Sequence, residues 1–270
     1  MKYWIYRNPV LAMLIPFLAG SAVVVGLVYY QILSLPWAVM LLAFVFFMVT
    51  RPVRRAYSMI AAEATYRLQN ECDAQAYLAM VEKLRARKHM PRDLFFNTEA
   101  LYALGLQAVG RTGEAVALMR RFLAQRESLP PALRFQFDLS YAAICAHDEE
   151  GKRELPALLA MLEHGYHTIS WAPPMREVIR RNLDSLQDVM HYHSGQYEGL
   201  VDRLVARIEA YRPIASMRRH MLLACLWLAR VYEALSRPGD ALAMYRYVAE
   251  HGNTLGIVDE AKAAADRLAG

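Results

Sequence analysis

Residues 228–245 read LARVYEALSRPGDALAMY. Two runs of helix-forming residues flank Ser236-Arg237-Pro238-Gly239, a strong turn signal, so the stretch predicts a helix, a tight turn and a second helix. The same punctuation recurs upstream. Pro91, Pro131, Pro173 and Pro213 are 40, 42 and 40 residues apart, and Gly113, Gly151, Gly195 and Gly239 are 38, 44 and 44 apart. Small residues just inside each second helix, Ala76, Ala115, Ala157, Gly199 and Ala241, are spaced by 39, 42, 42 and 42. A small side chain suits that place because the two helices of an α-hairpin approach closely after their turn. With almost no β signal beyond Arg55, the expected class is all-α: a solenoid of helical pairs, each burying its apolar face against the next.

The motifs Leu228-Ala229-x-x-Tyr232 and Gly239-Asp240-Ala241-Leu242-x-x-Tyr245 resemble the tetratricopeptide repeat family. Looser counterparts are Gly195-Gln196-Tyr197-Glu198-Gly199-Leu200 and Gly113-Glu114-Ala115-Val116-x-x-Met119. The resemblance covers roughly residues 56–270. The period of about 42 departs from the family's 34, Cys225 stands at the first-helix Trp position, and Leu106 takes the place of a tyrosine. It implies a groove lined by one face of each first helix: Asn97 and Gln107; Arg181, Asp184, Asp188 and His191; Arg230 and Glu233. Such a groove suits an extended peptide or a partner helix. The stretch from Val258 to Ala269 has Asp259, Glu260, Lys262, Asp266 and Arg267 on one side and alanines on the other, and reads as a polar helix capping the solenoid.

Residues 1–55 differ from the rest. They hold Lys2, Arg7, Arg51, Arg54 and Arg55 and no acid, which accounts for the whole net charge of +5. Two uncharged apolar stretches, about 9–33 and 35–50, predict a transmembrane hairpin, the second lengthened by Val53 and snorkelling arginine stems. The run is too long for the apolar core of a cleavable signal peptide. With basic residues at both ends and none in the connection from Gln31 to Pro36, the positive-inside rule places both termini and the repeat domain in the cytoplasm. Tyr3, Trp4 and Tyr6 would mark one interface, and Tyr29, Tyr30 and Trp37 the other. Ala22 and Gly26 form the small-xxx-small pair available for a helix contact.

The remaining 215 residues carry 26 basic and 26 acidic side chains, which argues against a nucleic-acid partner. Cys72, Cys145 and Cys225, odd in number and widely spaced, read as buried free thiols of a reducing compartment. No phosphate loop, nucleophile elbow, His-Glu-x-x-His or Cys-x-x-Cys is present, so no enzyme activity, cofactor or small-molecule substrate is expected. His191-Tyr192-His193, near His147-Asp148-Glu149-Glu150 in the repeat scheme, is the cluster with metal-ligand residue types. Residues i and i+2 of a helix point about 200° apart, however, so its two histidines read as solvated or hydrogen-bonded groups beside a turn. Trp171 reads as packing its loop onto the solenoid. Arg85 to Lys88 and Arg218 to His220 read as solvated basic faces.

The sequence therefore predicts a membrane-tethered adaptor that brings a protein or peptide partner to the cytoplasmic face. A structural subunit assembled through its transmembrane hairpin is the alternative, and a membrane-bound enzyme a more distant third.

Overall fold

The computed structural model describes residues 9–86 and 90–270. Lys2, Tyr3, Trp4, Tyr6, Arg7, Arg87 and Lys88 lie outside the described residues, as do the side chains at 9, 10, 13 and 47–53, Arg51 and Val53 among them. Among the described residues there are twelve α-helices, three short 3-10 turns and no strand. The chain divides into two compact units, Met1–Glu63 and Ala64–Gly270.

The first unit is a helical hairpin. Helix α1 spans Pro9–Tyr29 and α2 spans Leu35–Asn70. The connection is closed by Gln31 at φ +56°, with the Ile32 N–H donating to the Leu27 carbonyl at 2.9 Å. The seam is narrow. A Cβ on Gly20 would stand 2.8 Å from Val45, Phe17 and Phe46 meet edge to face at 6.2 Å, and Val24 and Ala38 are buried. Ala22 and Gly26 lie off this seam: Ala22 is exposed and a Cβ on Gly26 would meet nothing. Large apolar side chains point outward instead, including Ile15, Leu18, Val25, Met40 and Phe44, all more than half exposed. Two expectations change here. The first helix ends at Tyr29 rather than Leu33, and the second runs past Arg51 to Asn70, so its apolar part fills only its first half. Among the described residues, no helix is long and apolar enough to cross a membrane.

The second unit is an array of packed helices. Its elements after the end of α2 are α3 (Ala74–Arg85), α4 (Arg92–Ala108), α5 (Thr112–Arg120), α6 (Pro131–Cys145), α7 (Leu155–Thr168), α8 (Pro173–His193), α9 (Leu200–Tyr211), α10 (Arg218–Ala234), α11 (Pro238–His251) and α12 (Ile257–Ala269). The prolines set the frame. Pro91 is the N-cap of α4, Pro131 and Pro173 open α6 and α8, and Pro213 precedes the 3-10 turn Ala215–Met217 that leads into α10. A missing N–H costs nothing in a first helical turn, which leaves such donors unpaired anyway.

The turns inside the pairs are set by a residue in the left-handed region: Cys72, Gly110, Gly195 and Ser236, at φ +55°, +87°, +73° and +56°. After Gly110, Gly195 and Ser236 the next N–H donates to the carbonyl five residues back, at 2.8, 2.9 and 2.8 Å, which ends the first helix and reverses the chain. Five residues beyond the left-handed position come Tyr77, Ala115, Leu200 and Ala241, all buried. This corrects the expected register. Ala115 and Ala241 hold the close-approach position, whereas Ala157 and Gly199 are exposed and Ala76 is half-buried. The α6–α7 connection has no left-handed residue. Asp148 there accepts the Gly151 N–H at 2.8 Å and a 3-10 turn, Gly151–Arg153, lengthens the loop.

The array closes on itself. Gly256 donates its N–H to the Ala108 carbonyl at 2.8 Å, and Asn253 donates to the Glu71 carbonyl at 3.0 Å. Thr254 joins Asp73 and the Gln75 N–H. Beneath these bonds Leu222, Leu255 and Val258 share one apolar cluster with Ala64, Leu68, Cys72, Tyr77 and Ala108. A Cβ on Gly256 would lie 2.5 Å from the Gly110 Cα and 2.7 Å from the Val109 carbonyl carbon, so two backbones meet where no side chain fits. Helix α12 is the last element of the array: Ala261, Ala264 and Ala265 on its alanine face are buried in the main core, and Val258 at its start belongs to the join.

Candidate functional site

Three elements converge on Trp227 of α10. The His147 ring lies 5.6 Å away, Tyr192 5.3 Å and His193 5.7 Å, and Tyr197 stands 5.9 Å beyond Tyr192. The Arg230 guanidinium sits 4.3 Å over the indole and is held by Glu260 at 2.5 Å. With Asp148, Glu149 and Lys152 these residues line a depression of about 470 Å³. A second depression of about 540 Å³, lined by His191, Gly195, Gln196, Glu198 and Arg203, adjoins it at Tyr197. The α8–α9 turn stands between the two. Its left-handed Gly195 lets the chain reverse fast enough to bring Tyr197 back onto Tyr192, which itself meets the indole.

Burial, with the charges of Arg230, Arg219 and His193, pushes the His147 imidazole down to about 3. Burial also lowers His193, against the opposing pull of the Ala146 carbonyl that accepts from its ring. Both rings are therefore neutral near pH 7, and each offers one donor and one acceptor. Burial raises the Tyr192 phenol, which stays protonated. The depression combines two phenols and two neutral imidazoles with Asp148, Glu149, Lys152 and Arg230 around a Trp227 that is only 5 % exposed, a chemistry suited to a polar group that can both donate and accept hydrogen bonds. Among its lining residues there is no serine or cysteine nucleophile. Among the described residues no group of three or more histidines, cysteines or acids could hold a metal ion.

The eight groove residues expected from sequence do not gather on one open face. Asn97 is exposed on α4. Gln107, on the same helix, is buried and accepts from Arg219 at 3.0 Å. On α8, Asp184 pairs with Arg180 at 2.7 Å, and Arg181 reaches Glu177 at 3.9 Å and the Met217 sulfur at 3.9 Å. Asp188 is buried between Arg203 and Arg207 of α9, at 2.9 and 2.5 Å, and His191 meets Arg203 at 3.1 Å. Breaking such a buried cluster costs about 3–5 kcal/mol, so Asp188 is a strut between helices. Glu233 accepts from Tyr245 at 2.8 Å and pairs with Arg267. Only His191 and Arg230 line the two depressions.

Sequence reasoning assembled half of this site. It placed His147-Asp148 near His191-Tyr192-His193 and read the two latter histidines as solvated or hydrogen-bonded beside a turn, as His191 with Arg203 is, but it left Trp227 and Tyr197 out. Trp227 interrupts a run of aliphatic residues and so passes for ordinary core. Other readings of the sequence stand: Cys72, Cys145 and Cys225 are buried free thiols, and Trp171 packs on Phe135 with ring centroids 4.9 Å apart. Compared with known protein families, curated proteins and solved structures, the chain matches none.

Proposed function

We propose that the chain is a membrane-tethered adaptor: the α1–α2 hairpin sits in a bilayer, and the helical array, a long-period relative of tetratricopeptide repeats, holds a protein or peptide partner at the cytoplasmic face. The observation that carries this reading is the hairpin's exposure. Tyr29, Tyr30, Ile32, Leu35 and Trp37 at its turn and the aliphatic and aromatic residues along both helices face outward, and between residues 9 and 50 the only ionisable side chains are those two tyrosines. An uncharged apolar surface of that extent is unfavourable in water and matches lipid. The basic flanks and the uncharged connection favour the cytoplasmic orientation. The twin turns, Gly110 to Ala115 and Ser236 to Ala241, support the repeat kinship, because they share backbone bonds and an Arg111–Glu114 or Arg237–Asp240 clasp.

In this reading the partner docks on the depression beside Trp227, against Tyr197 and the charged groups around it. Capture from gently solubilised membranes, comparing the native chain with Trp227→Ala and with Tyr197→Ala, tests it. A specific partner that is lost at least about tenfold in both variants supports the assignment, as expected for aromatic anchors in a binding site. A partner retained by both moves binding off this face.

A second reading, a subunit of a larger membrane complex, is favoured by one observation. Ala22 and Gly26 are left uncovered on the outside of the hairpin, where a further helix could approach closely. Ala22→Leu with Gly26→Leu separates the two, since it would disrupt such a complex and leave capture through Trp227 intact.

A further inference from the structure

A cavity of about 380 Å³ is lined by α6 and α7, and it shares no residue with the depressions around Trp227 and Tyr197. Its volume stands at the lower end of the range for small-molecule sites, about 300–1,000 Å³. Phe135, Asp138 and Leu162 are its buried lining residues, and Met161 and Ile169 extend the apolar wall outward. At Gly165 the wall is bare backbone, since a Cβ there would stand 2.8 Å from the Phe135 ring. Four charged side chains complete the lining, and they are unequally matched. Glu127, in the 3-10 turn Arg126–Ser128, accepts from Arg134 at 2.7 Å and lies 3.5 Å from Nε of Arg126. Arg126 also donates through Nη1 to Oδ1 of Asp138. The Asp138 side chain, 5 % exposed, makes no other hydrogen bond among the described residues. Glu127 thus draws on two guanidinium groups and Asp138 on one, with its Oδ2 left over.

A carboxylate taken out of water with one oxygen unbonded is costly, and a donor that reaches it lowers the cost. Burial accordingly raises the Asp138 carboxyl, against the opposing pull of Arg126. We infer that the cavity binds a primary ammonium carried beside an apolar side chain, with the ammonium on Oδ2 of Asp138 and the side chain against Phe135, Leu162 and Ile169. An ammonium is a compact charge with three donors, so it can meet one oxygen in a space that Arg126 already shares. An anionic head group is disfavoured, because the arginine donors are turned toward the two carboxylates and such a group would face Asp138 and Glu127. The inferred chemistry is that of the amino-terminal residue of a peptide and of a free amino acid alike.

The test uses the full chain in mild non-ionic detergent with L-leucinamide, L-leucine and N-acetyl-L-leucinamide as probes, and reads saturation transfer from the protein to the ligand methyl protons. Leucinamide is expected to bind with a Kd of about 1 mM. The acetylated probe, which has lost the ammonium, should bind at least about tenfold more weakly. Equal transfer to leucine and leucinamide supports the site and assigns it to free amino acids; transfer to leucinamide alone supports it and assigns it to a peptide amino terminus. No transfer to leucinamide, or equal transfer to the acetylated probe, overturns the inference. Asp138→Asn should abolish the preference for the free amine. Because that variant leaves Arg126 without its carboxylate and can fail to fold, Met161→Arg, at an exposed position of the wall, gives a second check. Its new charge opposes the ammonium, and undiminished transfer there, or in a folded Asp138→Asn, overturns the site equally. Asp138 lies outside the Trp227 depression, so this site and the docking surface proposed above fail separately.

Discussion

The hairpin and the array are built from the same materials and solve opposite problems. Both are helical and rich in aliphatic residues. In the hairpin these residues point outward around a thin seam at Gly20 and Val45; in the array they turn inward, and the surface is laced with ion pairs such as Arg120 with Glu154 and Arg230 with Glu260. Hydrophobic content therefore says little about which way a helix faces. The arrangement of polar residues around it says more: α1 has none that is charged, whereas each array helix carries charge on one side.

Placing the same substitution in both regions breaks or sharpens this contrast. Val23→Lys with Val25→Lys on the hairpin should cost about 2.5–3.5 kcal/mol per lysine if the surface meets lipid, and release the chain from carbonate-washed membranes. Val178→Lys, at a half-exposed valine of the array, should leave both membrane association and folding unchanged. Release by neither variant would end the tether reading.

Glycines give the next contrast. Gly256→Val in the array must separate two backbones and should lower stability by about 3 kcal/mol or more, read as a urea midpoint. Gly26→Ala in the hairpin meets open space and should be tolerated.

Acid should act on the array alone. His147 and His220 titrate near 3 and 4 in the folded chain, below the unfolded value of about 6.5. The unfolded chain then binds more protons between about pH 6.5 and 4, so stability falls as pH falls through that window. From pH 7 to 5 the loss is about 2 kcal/mol for each histidine. A urea midpoint that does not fall over this range, or a His147→Gln variant with the native slope, would contradict the neutral, buried imidazole.

The smallest effect is expected at Gly113, in the first turn of α5 with nothing within 4 Å. Gly113→Ala should add about 0.5–1 kcal/mol, and a loss there would show that the turn after Gly110 is tighter than its geometry implies.

What the sequence disclosed follows from what is local. Helix starts were readable because proline limits its own backbone, and the twin turns because Gly-Asp-Ala and Gly-Glu-Ala follow a left-handed residue. The register slipped by one residue after Cys72, a left-handed residue that no rule of turn composition would choose, and after Gly195, and it failed at the α6–α7 connection, which has no left-handed residue. Closure was illegible. Gly256 looks like any loop glycine, and its reason for being one is Gly110, far away in the chain. The same holds for Arg219, a solvated basic residue by its neighbours in sequence and a half-buried one, bonded to Gln107, by its neighbours in space. Trp227 failed for the opposite reason: its environment looked so apolar that its polar company across the helix ends went unnoticed.

The contact between Gly110 and Gly256 also sets a rule of growth. An open stack of helical pairs can lengthen by duplicating a unit, since the new pair only has to match its neighbour. Here a sixth pair would carry Gly256 away from Gly110 and break the bonds that Asn253, Thr254 and Gly256 make to Glu71, Asp73 and Ala108.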